Sequence, residues 1–277
     1  SGFVKMDLRM RYFRAVGVLC LILVTLVAGG DNLDPRCQKS TEGTEFWFGF
    51  MEGRNTNNHY VEITVSSRVG ATFQIFIGNA STPYNNQSFT VPSNNAIQLR
   101  IPYNLVEPVG SEKVLPLGLH LVASDPVNVY CLNHDNNSSD VAVMYPVQSL
   151  GTEYFTMCYK PHVDEANLNH GRNSEFVVVA SEDNTTVGIL PSEEPDGPAR
   201  KGDTLRVNLN RGDLYQVQSL YGDLSGSQIT ADKPVAVYGG SLSTTIPFTT
   251  PDGGWDHMYE QMPPVKTWGR EYYTVPL

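Results

Sequence analysis

The chain has 277 residues, of which 40% are hydrophobic and 17% charged. That is enough apolar material for a folded core and too little charge for a disordered chain. Its formal net charge of −10 argues against a nucleic-acid binder, which needs a basic face, and its 24 Gly and 18 Pro favour many turns over long helices.

The N-terminal segment has the order of a secretory signal peptide. Basic residues at 10–14 precede an apolar stretch at 15–28, and the small residues Gly29 and Gly30 follow. The apolar stretch is shorter than the ~20 residues that a membrane-spanning helix needs, so cleavage is favoured over an uncleaved anchor. We therefore interpret residues 1–30 as signal peptide and upstream residues. They carry a net charge of +3, which leaves −13 on the mature chain.

In a secreted chain, the cysteines that remain after cleavage of the signal peptide are candidates for disulfide bonds. Cys37, Cys131 and Cys158 form an odd set, so one thiol is free or pairs outside this sequence. A bridge between Cys131 and Cys158 would be worth about 3 kcal/mol in the chain-entropy model, and it would leave Cys37 unpaired in this fragment. The alternative is that Cys131 and Cys158 lie on different domains, too far apart to bond.

Five asparagines lie in Asn-X-Ser/Thr sequons within polar, turn-like stretches, where a glycan could face water. These glycosylation candidates are Asn79, Asn86, Asn136, Asn137 and Asn184.

The chain repeats itself at an offset of 108 residues. A Gly-Thr-Glu-aromatic motif at 43–46 recurs at 151–154, and the segment 123–130 recurs at 231–238. Two separated matches at one offset indicate a duplication, and a unit of this length is typical of a small domain. The segment 268–275 is similar to the opening strand of a third copy.

Within each copy, short segments such as 61–65, 97–101 and 205–209 alternate strictly between apolar and polar residues. This period is typical of antiparallel strands with one buried face. The sequence therefore predicts an all-β fold of two tandem antiparallel β-sandwich repeats of about 108 residues. The expected bounds are 31–147 for the first repeat, 148–264 for the second, and 265–277 for the start of a truncated third.

The repeated motifs are also similar to those of a known family. They stand at 43–51, 126–130, 150–154, 175–186, 233–238, 256–264 and 267–269. From about residue 42 to its end, the chain resembles the IgGFc-binding protein N-terminal domain family. This resemblance implies a secreted, non-enzymatic protein of mucus or matrix, often with further domains downstream. Family members carry a Cys pair before the Asp-His motif, and residues 243–255 here contain no Cys.

Arg211, Gly212 and Asp213 form an integrin-type tripeptide between two alternating segments. That context predicts a hairpin whose tip carries the tripeptide, with Gly212 supplying a positive φ. An ordinary hairpin needs Gly and polar flanks as well, so an integrin ligand and a plain turn are both open interpretations.

Asp252, Asp256, His257 and Glu260 carry the donor atoms that divalent cations prefer. Their spacing matches no metal motif, so capping and hydrogen bonding in a loop is the simpler interpretation, and no cofactor is predicted. The sequence also lacks a nucleophile elbow and a zinc-protease motif. A glycan-acting hydrolase with two facing carboxylates stays an alternative.

Taken together, these features predict a secreted extracellular module, not an enzyme, that binds a protein or glycoprotein partner. Immunoglobulin Fc and mucins are the candidate partners, in mucus, in matrix or at the cell surface. Neither a nucleic-acid partner nor a membrane span in the mature chain is expected.

Overall fold

A computed structural model describes residues 40–53, 59–78, 85, 87–136, 138–161, 173–246 and 255–273. In these residues the regular structure is β-strand apart from three short 3-10 turns, at Tyr103–Leu105, Val147–Ser149 and Val265–Thr267. The prediction of an all-β fold is confirmed.

Fifteen strands are present in the described residues. Those before residue 145 are β1 (Gly43–Phe48), β2 (Tyr60–Ser67), β3 (Ala71–Ile77), β4 (Ser88–Val91), β5 (Asn95–Ile101), β6 (Val114–Leu115), β7 (Leu119–Asp135) and β8 (Ser138–Met144). Those after it are β9 (Gly151–Phe155), β10 (Ser174–Ala180), β11 (Thr185–Leu190), β12 (Leu205–Leu209), β13 (Leu214–Ser219), β14 (Gln228–Thr244) and β15 (Asp256–Gln261).

Two antiparallel sheets are each organised around one strand of 17 residues. The first sheet has the order β4-β3-β7-β2-β5, with β1 and β8 also paired to β7. The second has the order β12-β11-β14-β10-β13-β6, with β9 and β15 also paired to β14. Apart from β6, the two sheets thus connect their strands in the same order along the chain.

The long strand of each sheet joins two groups of strands. The first part of β7 pairs with β1 and β3, and its second part pairs with β2 and β8. In the second sheet, buried side chains from both groups meet in one core, including Val187 and Ile189 of β11 with Phe176 and Val178 of β10. The two groups therefore pack against each other.

Burial along β10 explains its sequence. Every residue of β10 is buried, whereas β3 alternates between buried and more exposed positions. Phe176 and Val178 belong to the core of the second sheet, and Val177 and Val179 belong to the core of the first. Because β10 is covered on both faces, its residues 176–180 form a continuous apolar run.

The connection between β5 and β7 also ties the two sheets together. It contains β6, which pairs with β13 so that Leu115 lies opposite Leu214. Gly118 N donates a hydrogen bond to Gly212 O at 2.9 Å. Residues 40–277 cluster as one compact unit.

Candidate functional site

The Arg-Gly-Asp tripeptide lies in the turn between β12 and β13, and this turn is not a hairpin. In the described part of the chain, β12 pairs with β11, while β13 pairs with β10 and β6. The predicted hairpin is therefore wrong. Alternation identified both strands, but it carries no information on whether consecutive strands pair. Gly212 has the predicted positive φ, at 80°.

Both charged side chains of the tripeptide have partners within the chain. Arg211 Nη2 lies 2.9 Å from Asp183 Oδ2, and Arg211 N donates to the other oxygen of the same carboxylate at 3.2 Å. Asp213 Oδ2 accepts a hydrogen bond from Asn210 N at 2.8 Å and so caps the turn. These contacts disfavour simultaneous capture of Arg211 and Asp213 by a receptor.

The tripeptide forms one wall of a cleft of about 330 Å³. The cleft combines side chains from both sheets. Its lining residues are Trp47 of β1, Phe76 of β3, Gly78, Pro116, His120 of β7, Asp183, Asn210, Arg211, Gly212 and Asp213.

An aromatic pair forms the other wall. The rings of Trp47 and His120 stack with centroids 4.1 Å apart and an interplanar angle of 6°, and Phe76 lies 5.9 Å from His120. His120 Nε2 is 2.9 Å from Glu45 Oε1, which orients the imidazole. Burial lowers the pKa of His120, although Glu45 acts in the opposite direction. The imidazole is therefore neutral at pH 7, with one ring nitrogen that donates and one that accepts a hydrogen bond.

Asp183 and Arg211 form the charged part of the cleft. The hydrogen bond from Arg211 lowers the pKa of Asp183, and the same contact raises the pKa of Arg211. Asp183 is therefore ionised at neutral pH, which makes it unsuited to be the protonated acid of a glycan hydrolase.

Sequence reasoning identified Arg211, Gly212 and Asp213 but missed the residues opposite them. Trp47 directly follows the first Gly-Thr-Glu-aromatic motif, so its sequence context indicates a repeat strand and not a site. His120 and Asp183 lie 73 and 136 positions away from it in the sequence. No local pattern brings such residues together, because their proximity depends on how the two sheets pack.

The candidate metal ligands do not converge. Asp252 lies outside the described residues. On β15, His257 is buried while Asp256 and Glu260 are exposed, as expected for alternating positions of one strand. Burial lowers the pKa of His257 to about 4. Among the residues that the structure describes, no group of three His, Cys, Asp or Glu side chains is placed to hold a metal ion.

The predicted bridge between Cys131 and Cys158 is absent, and both thiols are free and buried. Cys131 lies in the core of the first sheet and Cys158 in the core of the second. Cys158 Sγ instead donates to Glu175 O at 3.2 Å. The bridge is therefore wrong, and the alternative, that the two cysteines lie in different parts of the fold, agrees with their burial in different cores. Cys37 lies outside the described residues.

Two of the glycosylation candidates are on the described surface. Asn136 and Asn184 are both exposed, and Asn184 has a positive φ of 54° in the turn between β10 and β11. That turn also contains Asp183 of the cleft. The other candidates, Asn79, Asn86 and Asn137, lie outside the described residues.

A buried polar network between the sheets was also missed. The Glu52 carboxylate accepts hydrogen bonds from Gly110 N at 2.8 Å and from Gln218 Nε2 at 2.9 Å. Gln218 Nε2 also donates to Glu175 Oε2 at 2.8 Å. Glu175 is fully buried, and burial raises its pKa well above the usual range. The available sequence signal is the position of Glu175 directly before the apolar run at 176–180.

Comparison with known proteins finds a family similarity in the C-terminal half of the chain. The family model described as IgGFc binding protein matches residues 140–277. The human IgGFc-binding protein is 28% identical over 243 residues, which is 86% of this chain and 4% of that protein. No solved structure matches the chain.

The IgGFc-binding resemblance that the motifs indicated is therefore confirmed. The family match includes Asp183 and Arg211 on one wall of the cleft, while Trp47 and His120 on the other wall precede it. Within the described ranges, no helix has both the length and the apolar character needed to cross a bilayer.

Proposed function

We propose that this chain is a secreted, extracellular binding module that recognises a protein or glycoprotein partner through the cleft between its two sheets. Similarity to the IgGFc-binding family supports a binding role over an enzymatic one. The human relative is named for binding IgG Fc, so Fc is one partner to test, and a mucin is another.

The observation that carries the proposal is the composition of the cleft. Ligand sites typically combine apolar and aromatic surface with a few fixed polar groups. Here Trp47, Phe76 and His120 supply the aromatic edge, while Arg211 and Asp183 supply a charged donor and acceptor. The stack and the ion pair each hold these side chains in place, so little conformational entropy is lost on binding.

The extracellular setting rests on the N-terminal segment and the sequons. Residues 1–30 have the signal-peptide order, and Asn136 and Asn184 are exposed where a glycan would meet solvent. A glycan on Asn184 would border the cleft, because its neighbour Asp183 lines it.

We also propose that the two sheets are two copies of one unit, with bounds 31–147 and 148–264 and a third copy beginning at 265–277. The shared strand order supports this organisation. So does the register, because Gly43 pairs with Val127 and Gly151 pairs with Val235. Each residue of the second pair lies 108 positions after its counterpart in the first. Each of these glycines packs against a proline of the segment that follows its sheet, Pro146 or Pro264.

The proposal is tested with an array that carries the immobilised secreted chain. Purified immunoglobulin Fc, mucin and matrix glycoproteins are applied to it as probes, and the amount of each captured probe is measured. We expect at least one probe to bind, and we expect Asp183→Asn to reduce its capture several-fold because that change removes the anchor of Arg211. Asp203→Asn changes the same chemical group at an exposed position outside the cleft and should bind normally.

Binding should persist in EDTA, because no metal-ligand cluster is present in the described residues. Absence of capture for every probe, or equal loss in the two variants, would contradict the proposal. Release of glycan fragments from a bound mucin would instead favour the hydrolase alternative.

A further inference from the structure

The second sheet shows how an edge of this fold is covered. Strand β13 pairs with β10 on one side, and on its other side it pairs with β6, from the connection between β5 and β7. Leu115 of β6 lies opposite Leu214 of β13. Every residue of β13 is buried. An extended segment from the other half of the chain therefore completes the sheet at this edge.

Strand β5 is the counterpart of β13 in the first sheet, and its outer edge is open. Gln98 of β5 and Gln216 of β13 each lie two strands away from a repeated tyrosine, Tyr130 or Tyr238, in a row of residues that face each other across the sheet. Among the strands that the structure describes, β5 pairs with β2 alone. Gln216 is 1% exposed, whereas Gln98 is an exposed residue.

This open edge leaves part of the first core incompletely covered. Ile97 and Leu99 of β5 pack against that core. They lie opposite Val65 and Ile63 of β2, which are fully buried, yet both remain partly exposed themselves. A strand added beside β5 would bury their exposed surface and would pair the backbone N–H and C=O groups that face away from β2.

Strand β5 lacks the features that commonly protect an edge, which are short length, proline and outward charge. It has seven residues and contains neither proline nor lysine, whereas the end strands β4 and β12 have four and five residues. Its charged residue, Arg100, turns back over β2. There its Nε lies 3.2 Å from Glu62 Oε2, and its guanidinium carbon lies 4.4 Å from the centroid of the Tyr60 ring.

The sequence of β5 is also complementary to itself in the antiparallel direction. When two copies pair with Gln98 at the two-fold axis, all seven residues of the strand have a partner. Ile97 then lies opposite Leu99 of the second copy on the core side, and the two Gln98 side chains meet on the other face, where each amide can donate to its mate. Ala96 lies opposite Arg100 of the second copy, so no like charges are adjacent.

We propose that two copies of this chain associate through their β5 strands, which pair antiparallel about Gln98 and join the two first sheets into one. The same surface is used on both copies, so the association closes at a dimer. The interface is small, so the dimer is weak and depends on local concentration. Strand β5 contributes no residue to the cleft, so this proposal stands or falls independently of the proposed binding function.

Sedimentation of the secreted chain over a concentration series that reaches about 1 mM tests this proposal. We expect the average mass of the wild type to rise toward that of a dimer and not beyond it. Gln98→Lys and Gln98→Glu should each abolish association, because two like charges would meet at the two-fold axis. Gln228→Lys and Gln228→Glu change the same residue type at an exposed position of the second sheet and should dimerise like the wild type. Both glutamines are exposed, so all four variants should keep the wild-type urea midpoint.

Mixing the two Gln98 variants gives the decisive result. Their opposite charges would face each other at the axis, so a 1:1 mixture should form a heterodimer although neither variant associates alone. A wild type that stays monomeric or grows past a dimer, a Gln98 variant that associates like the wild type, or a mixture that stays monomeric would each overturn the proposal.

Discussion

Gly212 offers the sharpest test of the cleft's construction. Its φ of 80° lies in the left-handed region, and an added Cβ would lie 3.2 Å from Trp47 Cζ3. Trp47 cannot yield easily, because its ring already stacks on His120. Gly212→Ala should therefore combine backbone strain with displacement of the aromatic wall.

Two other glycines separate these effects. Gly202 and Gly226 have φ values of 81° and 84°, and an added Cβ at either would meet nothing within 4 Å. Alanine in this region costs about 1–2 kcal/mol, partly offset by the ~0.4–1 kcal/mol gained from a stiffer unfolded chain. We expect Gly202→Ala and Gly226→Ala to lose about 1 kcal/mol or less. Gly212→Ala should lose a further ~1–3 kcal/mol from overpacking against Trp47.

Equilibrium urea unfolding measures these differences, with an unchanged m-value as the check that each variant unfolds in the same way. Gly212→Ala should also weaken partner capture, while Gly202→Ala and Gly226→Ala should not. If Gly212→Ala proves no less stable than the two controls, the contact with Trp47 does not restrain the turn, and our reasoning on the cleft wall is wrong.

Three further predictions concern buried groups. Burial lowers the pKa of His257 to about 4, so the unfolded chain takes up a proton before the folded chain does. The free energy of unfolding should therefore fall by up to about 3 kcal/mol as the pH drops from 6.5 to 4. In urea titrations at each pH, His257→Gln should reduce this loss of stability. Burial raises the pKa of Glu175, so its carboxyl disfavours folding increasingly as the pH rises above its unfolded value. Glu175→Gln should therefore gain stability relative to the wild type at pH 7 and show no gain at pH 4, and an equal difference at both pH values would contradict this. Burial also raises the thiol pKa values of Cys131 and Cys158. Mass spectrometry should therefore find neither cysteine alkylated by iodoacetamide in the folded chain and both alkylated in urea. A disulfide-linked peptide would refute the assignment of both as free thiols.

Local pattern was sufficient for the strands and insufficient for the site. Alternating segments such as 61–65 and 205–209 became β2 and β12, because period-2 alternation directly reflects one buried face. The same reasoning could not tell that β12 and β13 belong to different groups of strands, since strand pairing depends on the whole topology. It also left open whether Cys131 and Cys158 form a bridge or lie on different domains, because distance along the chain says nothing about which core a side chain enters.

The cleft illustrates the same limit. The tripeptide stood out as a motif, but Trp47, His120 and Asp183 gain their role from packing between the two sheets. Likewise, the packing of residues 49–52 on β10 is visible only in the fold. Its sequence signal is the continuous apolar run at 176–180 of β10, which indicates a strand covered on both faces.

The most direct test of the proposed binding function compares alanine variants of two arginines. The quantity measured is the Kd of each variant for the partner that the array of the secreted chain captures. Arg211 lines the cleft, and Arg206 is exposed on β12, outside it, so alanine at either position removes the same charge. We predict that Arg211→Ala weakens binding at least about tenfold, or ~1.4 kcal/mol, while Arg206→Ala stays close to the wild type. Equal effects of the two changes would show that the chain's overall charge, and not the cleft, governs recognition.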